Sequence, residues 1–484
     1  MDAFRADVLI VGNRIAEIAP SIEAAGAHYV DCTNLTLAPG FIDSHTHSDL
    51  QVIEGRQDKL RQGVTTEVVG NCGFSAYPPS HPPACLRSFA NGIFCGDDTW
   101  GWPSSKAYLR AVEQSATANV LSLVGHGSLR IAVAGLRHGP LTEQELCAME
   151  GLLEEAFAAG AAGFSTGLMY APGASAPEEE LLRLCRVTTR AGKIHTSHIR
   201  SYFSGLVDAV DEQLHLARRS GARTQISHLQ AVGAANWPLQ SLALEHIQQA
   251  REEGIDVEFD CYPYIAGSSV LTQVLPQSAL DGGVSRLMER LRDPRDRRRI
   301  REHVERENPW RWSDIFISSV GSSANGYAVG CSLQELGESS GREPVEVMLD
   351  LLLDEEGDAN MLCFNQSLEN LRVSLTHPCA TIISDSFYVK GRPHPRLHGT
   401  FPLLLGEFVR DRGWLALSEA VHKITAKPAQ RYGIEKRGRI ARGFIADIVG
   451  FDAGEINSPA TYEKPAEPPT GIRFVYRNGQ RVEL

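Results

Sequence analysis

Six side chains scattered along the chain combine the residue types of a metal-dependent hydrolase. His45 and His47 form a His-x-His pair, Cys72 sits in a Gly-Asn-Cys-Gly turn, and His198, His228 and Asp385 each end a short apolar run. In an extended segment residues i and i+2 face the same way, so His45 and His47 can reach one ion. Imidazole, thiolate and carboxylate together suit Zn²⁺ better than Mg²⁺ or Ca²⁺. A structural zinc site draws on closely spaced ligands, whereas these come from separate runs, as a catalytic site with room for water requires. Each piece alone has an ordinary explanation. A lone His at a strand end is commonly a hydrogen-bonded core residue, and a Gly-Asn-Cys-Gly turn commonly holds a buried thiol. Their joint placement makes coincidence a poor account.

The runs that must position these residues lie at 37–42, 64–69, 120–124, 163–166, 193–197, 223–227, 256–260 and 380–384. Helix-like segments separate several of them. Thr142 to Ala159 opens with a capping box, and Pro177 to Ala191 opens with a Pro followed by three Glu. Eight strands alternating with helices predict an α/β fold, a (β/α)8 barrel with its chemistry at the C-terminal strand ends. Residues 37–424 are assigned to this catalytic barrel. Within it, about 267–370 is too long for a βα connection, and reads as an insertion on the active-site face with a helical stretch at 284–306 and a strand at 314–320. Short strands expected at 6–11, 15–19, 29–31, 446–451 and 473–476 place residues 1–36 and 425–484 in a small β-sandwich built from both termini. The Pro-rich 459–469 reads as a loop there.

The chain has 484 residues, and its 59 acidic against 47 basic residues give a net charge of −12. That balance, without a Lys/Arg cluster, argues against nucleic acid and anionic membrane as partners. No signal-like or membrane-spanning run is present, and ten Cys without paired spacing predict free thiols and a cytoplasmic protein. His126 ends a strand without a ligand role and is expected near the pocket, while His377 and His394 read as structural loop residues.

Taken together, Pro39-Gly-Phe-Ile-Asp-Ser-His45-Thr-His47, Gly63-Val-Thr-Thr-Glu-Val-Val-Gly-Asn-Cys72-Gly, Ser165-Thr-Gly-Leu-Met-Tyr170, Ser197-His198, Ser227-His228, Asp260-Cys-Tyr262-Pro-Tyr264, Ser384-Asp385 and Arg392-Pro-His-Pro-Arg396 resemble the amidohydrolase superfamily. They are most similar to its D-aminoacylase (N-acyl-D-amino-acid deacylase) branch, which Cys72 marks, since most relatives bridge their metals with a carboxylated Lys or a Glu. The resemblance implies a tight zinc site of Cys72, His198 and His228, and a second, weaker site of His45, His47 and Asp385. It further implies Asp385 as general base, and Tyr170, Tyr262 and Arg396 as contacts to the free carboxylate of a small-molecule substrate. The implied reaction is removal of the acyl group from an N-acyl-D-amino acid. One departure stands out: where the family places a Lys after His228, this chain has Gln230. Compared with the family the chain also starts late and ends soon after Arg473, which predicts a thin small domain. Two rival readings remain, a cyclic-amide hydrolase of dihydroorotase or hydantoinase type and a non-catalytic scaffold relative. Cys72 and the motif ending at Arg396 argue against the first, and six retained donors against the second.

Overall fold

The computed structural model describes residues 4–96 and 99–483. Eight parallel strands form one sheet in sequence order: Phe41–Asp43, Val64–Val69, Asn119–Gly125, Gly163–Gly167, Ile194–His198, Arg223–Ile226, Val257–Cys261 and Ala380–Ile382. The first and last strands meet through a parallel bridge from Thr46 to Ser386, with the Asp385 N–H donating to His45 O at 2.9 Å. The sheet is thereby closed, and the protein is a (β/α)8 barrel. Strands two, four and five are buried along their whole length, as a parallel sheet covered on both faces requires. The helix Glu143–Ala158 starts with the expected capping box between Thr142 and Glu145, and Glu178–Arg190 starts after Pro177 with three Glu in its first turn.

The run at 37–42 is not one strand. Thr36–Pro39 joins an antiparallel sheet with Ile448–Phe451, Ile472–Arg477 and Gln480–Val482, and the barrel begins only at Phe41. Gly40 is the pivot: a Cβ there would lie 2.2 Å from Thr65 Oγ1, so no other residue lets the chain pass so close to the second strand. Asp7–Val11 and Arg14–Ala19 form a hairpin that an isolated Arg14–Ile445 bridge ties to the segment leading into the four-stranded sheet. Ile15, Ala446 and Ile448 are buried between them. The strand expected at 29–31 does not form; these residues are irregular and partly or largely exposed.

Between the seventh and eighth barrel strands lies a second packed unit. Ala266–Val270, Ala359–Phe364 and Ile315–Val320 make a three-stranded antiparallel sheet, with Ala359–Phe364 in the middle. Helices Val284–Arg292, Pro294–Glu307, Leu333–Ser340 and Pro344–Asp354 cover it around Leu287, Ile315, Met348, Leu349 and Leu352. The helical stretch expected at 284–306 forms as two helices that meet at Asp293. Asp293 caps the second segment, accepting from the N–H groups of Arg295 and Asp296, and Pro294 occupies its first turn. All ten cysteines are free thiols. No helix among the described residues is long and apolar enough to cross a membrane.

Candidate metal centre

All six donors named from the sequence sit at the C-terminal mouth of the barrel, and the structure brings them to one point. The ligand atoms of Cys72, His198 and His228 lie within 4.8 Å of one another, and so do those of His45, His47, Cys72 and Asp385. Cys72 belongs to both groups, with Sγ 3.2 Å from His45 Nε2 and 3.4 Å from His228 Nε2. The sulfur therefore touches both halves of the centre rather than one. His198 Nδ1 stands 3.0 Å from His228 Nε2, and Asp385 Oδ1 is 3.3 Å from His45 Nε2 and 3.5 Å from His47 Nε2.

The backbone is distorted to achieve this. Cys72, His228 and Asp385 take positive φ values of 53°, 34° and 51°, conformations that residues with a Cβ rarely adopt. Each lies just past the end of a strand, where the turn aims the side chain at the barrel axis. Strain held by a rigid surround is characteristic of functional positions.

The donors fit a borderline-soft cation. Burial lowers the His228 pKa to about 3 and drives His198 well below its ordinary value, with the neighbouring His228 adding to the shift. Both imidazoles are therefore neutral and offer lone pairs. Burial pushes the Cys72 thiol up to about 11, against the opposing charge of His45, so the thiolate needs a positive partner. His198 Nε2, His47 Nδ1 and His228 Nδ1 are buried with no hydrogen-bond partner. Burial works to raise Asp385, but Arg396 and the surrounding histidines hold its carboxyl well below the usual range, so it is ionised.

Sequence reasoning left several supporting residues without a role. Asp260 Oδ1 accepts from the His228 N–H at 2.5 Å, and its Oδ2 faces His45 Nδ1 at 3.5 Å, an orientation that fixes an imidazole for a ligand role. Its position on the seventh barrel strand was the available signal. Lys59 is buried beneath the centre and donates to Asp43 Oδ2 (2.5 Å), Ser384 Oγ (2.6 Å) and Ser386 Oγ (2.5 Å). It thus clamps both neighbours of Asp385. No spacing in the sequence announces it, because Lys59 lies in a loop far from 384–386. His394, read as a structural loop residue, braces the site: its Nδ1 accepts from the Arg396 N–H at 3.0 Å, and its Nε2 lies 3.0 Å from Ala266 O. His126 points elsewhere, its Nε2 meeting the buried Glu180 at 2.7 Å.

Tyr170, Tyr262 and Arg396 line one cleft above the donors, together with Gln230 and the insertion residues Ser268, Ser269, Met361 and Cys363. Arg396 is 1% exposed; its Nη1 is 2.8 Å from Asp385 Oδ2 and its guanidinium lies over the Tyr262 ring at 4.9 Å. Gln230 Oε1 accepts from Tyr262 Oη at 2.9 Å and Gln366 Nε2 at 2.6 Å. Tyr170 packs against the His198 ring at 4.7 Å and Phe74 at 4.9 Å.

Known proteins resemble this chain in sequence and fold. The amidohydrolase family profile matches residues 28–274 and 371–483, leaving most of the insertion outside. N-acyl-D-glutamate deacylase from Alcaligenes xylosoxydans xylosoxydans is 36% identical over 99% of this chain and 90% of its own length. D-aminoacylase from the same organism is 35% identical over the same shares. The crystal structure of N-acyl-D-glutamate deacylase from Bordetella bronchiseptica, complexed with zinc and a phosphonate mimic of the tetrahedral intermediate, superposes with a TM-score of 0.84 at 33% identity. That match covers 99% of this chain and 92% of the other. With the profile spanning most of the sequence and the relatives nearly all of it, the protein belongs to the amidohydrolase family.

Proposed function

We propose that this protein is a zinc-dependent hydrolase that removes the acyl group from N-acyl-D-amino acids. The observation that carries the reading is the convergence of Cys72, His198, His228, His45, His47 and Asp385 on one buried centre beside Arg396. The names of its near full-length relatives support the acyl–nitrogen bond and the D configuration. Cys72, His198 and His228 would hold the tighter ion, and His45, His47 and Asp385, with the shared Cys72 sulfur, a second. When bound, zinc supplies Lewis acidity that polarises a carbonyl and acidifies a water.

The chain's own groups do the rest. Arg396 takes the substrate carboxylate in its guanidinium fork, with the Gln230 amide and Tyr170 beside it. That places the scissile carbonyl over the donors. Asp385 is ionised and buried, so Oδ1 accepts the proton of the attacking water and returns it to the leaving nitrogen. Its partner Arg396 depresses its proton affinity before substrate arrives. Drawing Arg396 toward a substrate carboxylate relaxes that hold, and couples binding to basicity.

The test is a screen of zinc-loaded protein on N-acetyl amino acids of both hands, with hydantoins and dihydropyrimidines alongside. Acetate and D-amino acid released together from the D series are expected. Turnover confined to the cyclic amides, or to the L series, would overturn the reading.

A further inference from the structure

Beside the catalytic cleft, between the barrel rim and the insertion, lies a second chamber with a mostly apolar lining. Ile93, Met169, Tyr170 and Gln273 line both spaces, which are therefore immediate neighbours. Beyond these shared residues the wall combines Phe89, Leu136, Val284 and Leu287 with the polar Asn91 and Gln277. Phe89 stacks on Phe74 at 4.5 Å, and Phe74 in turn packs edge-on to Tyr170, so an aromatic stack joins the rim of the cleft to the chamber wall.

Charge in these two spaces is scarce. Among the described residues, Arg396 alone of the Lys and Arg side chains lines the cleft, and none lines the chamber. His138, on the chamber wall, already faces Asp281 at 3.7 Å. Arg130 is paired with the buried Glu180, and Arg290 donates to the carbonyls of Ala279 and Asp281. A substrate with one carboxylate satisfies Arg396. A second carboxylate, such as that of N-acyl-D-glutamate, would find no Lys or Arg in the chamber to offset its loss of water contacts.

We infer that the preferred substrate carries a single carboxylate and a large uncharged apolar group, and that this chamber receives the apolar group. The inference rests on the deacylase reading and narrows it. The apolar group can be the side chain of the D-residue or an extended acyl chain, and the test separates the two.

On the zinc-loaded enzyme, N-acetyl-D-glutamine is compared with its near-isostere N-acetyl-D-glutamate. The amide should be favoured about 100-fold or more in kcat/KM, the effect of one uncompensated buried charge. Two further series vary one group at a time: acetyl derivatives of D-alanine, D-leucine and D-phenylalanine, then acetyl to octanoyl derivatives of D-alanine. One series should climb by about fourfold per buried methylene until the chamber is full. In Val284→Trp, which narrows the chamber, that climb should flatten, with an unchanged melting temperature showing that the fold is intact. Gln273→Arg should shift the glutamate-to-glutamine ratio at least tenfold toward glutamate. The same compounds are titrated calorimetrically onto the Asp385→Asn variant, so that binding is read without turnover. Equal or better use of N-acetyl-D-glutamate, or no gain along either series, overturns the inference. Binding that grows with apolar size while no compound is hydrolysed would instead sink the deacylase reading and leave the chamber assignment standing.

Discussion

The mouth of the barrel and the insertion above it are built on opposite plans. Donors at the mouth stand at or just past the C-terminal ends of the barrel strands, and their supports are polar and buried: Lys59 with Asp43, Ser384 and Ser386, and Asp260 behind His45 and His228. The insertion is held by aliphatic packing around Leu287, Met348, Leu349 and Leu352, and it contributes strand edges and apolar walls to the cleft. Polar networks fix a geometry because each partner has a direction, and they penalise any loss. Aliphatic cores tolerate exchange of shape at constant volume. The reaction is thus placed where variation is costly, and the choice of substrate where it is cheap.

That contrast can be broken in several places. The largest effect should come from Asp385→Asn, which keeps the shape but removes the proton acceptor: kcat should fall about 10³- to 10⁴-fold, with zinc retained by elemental analysis. Near-normal turnover would show that the proton passes elsewhere. Lys59→Met should leave Asp43 buried and unpaired, costing about 3–5 kcal/mol in denaturant unfolding and lowering kcat as Ser384 and Ser386 loosen around Asp385. A stable variant with full activity would mean that the clamp does not matter. Leu349→Ala, in the core of the insertion, should cost about 2–5 kcal/mol of stability while zinc content stays at the parental value. Loss of metal there would join the two regions that the structure keeps apart.

Acid offers a milder probe. His195 is buried in the barrel wall against Phe164 and Thr166, and burial lowers its pKa from 6.5 to about 3. Its folded-state value is depressed, so its contribution to stability is whole above pH 6.5 and is lost as pH falls toward 3. About 3 kcal/mol should be gone by about pH 4.5. Hydrogen exchange should therefore show the barrel wall loosening in acid before the insertion core, which is packed from aliphatic side chains; the reverse order would refute this. The smallest expected change is Arg396→Ala. It should raise KM for carboxylate substrates about 30-fold, with kcat moving less, as one charge-assisted contact is lost. An unchanged KM would place the anion site elsewhere.

How much of this was legible in the sequence follows from what each feature depends on. Alternation of apolar runs and capped helices is local, so the barrel and the helices at Glu143–Ala158 and Glu178–Arg190 could be read directly. The same locality misled at 37–42, where one apolar run serves two sheets because Gly40 lets the chain turn between them. It misled again at 29–31, where β-favouring residues find no neighbouring strand. The donor types and their places at strand ends were visible because chemistry restricts them to His, Cys and Asp.

Sequence alone therefore determined the barrel, the kind of ion its donors suit and the residues able to hold it. Those properties reside in residue type and in spacing along a strand. Only the tertiary structure decided that Cys72 stands between both halves of the centre, that Lys59 supports Asp385, and that a chamber without Lys or Arg adjoins the site. Each of these is a contact between segments far apart in the chain, and a distance between such segments is set by packing, which no local pattern encodes.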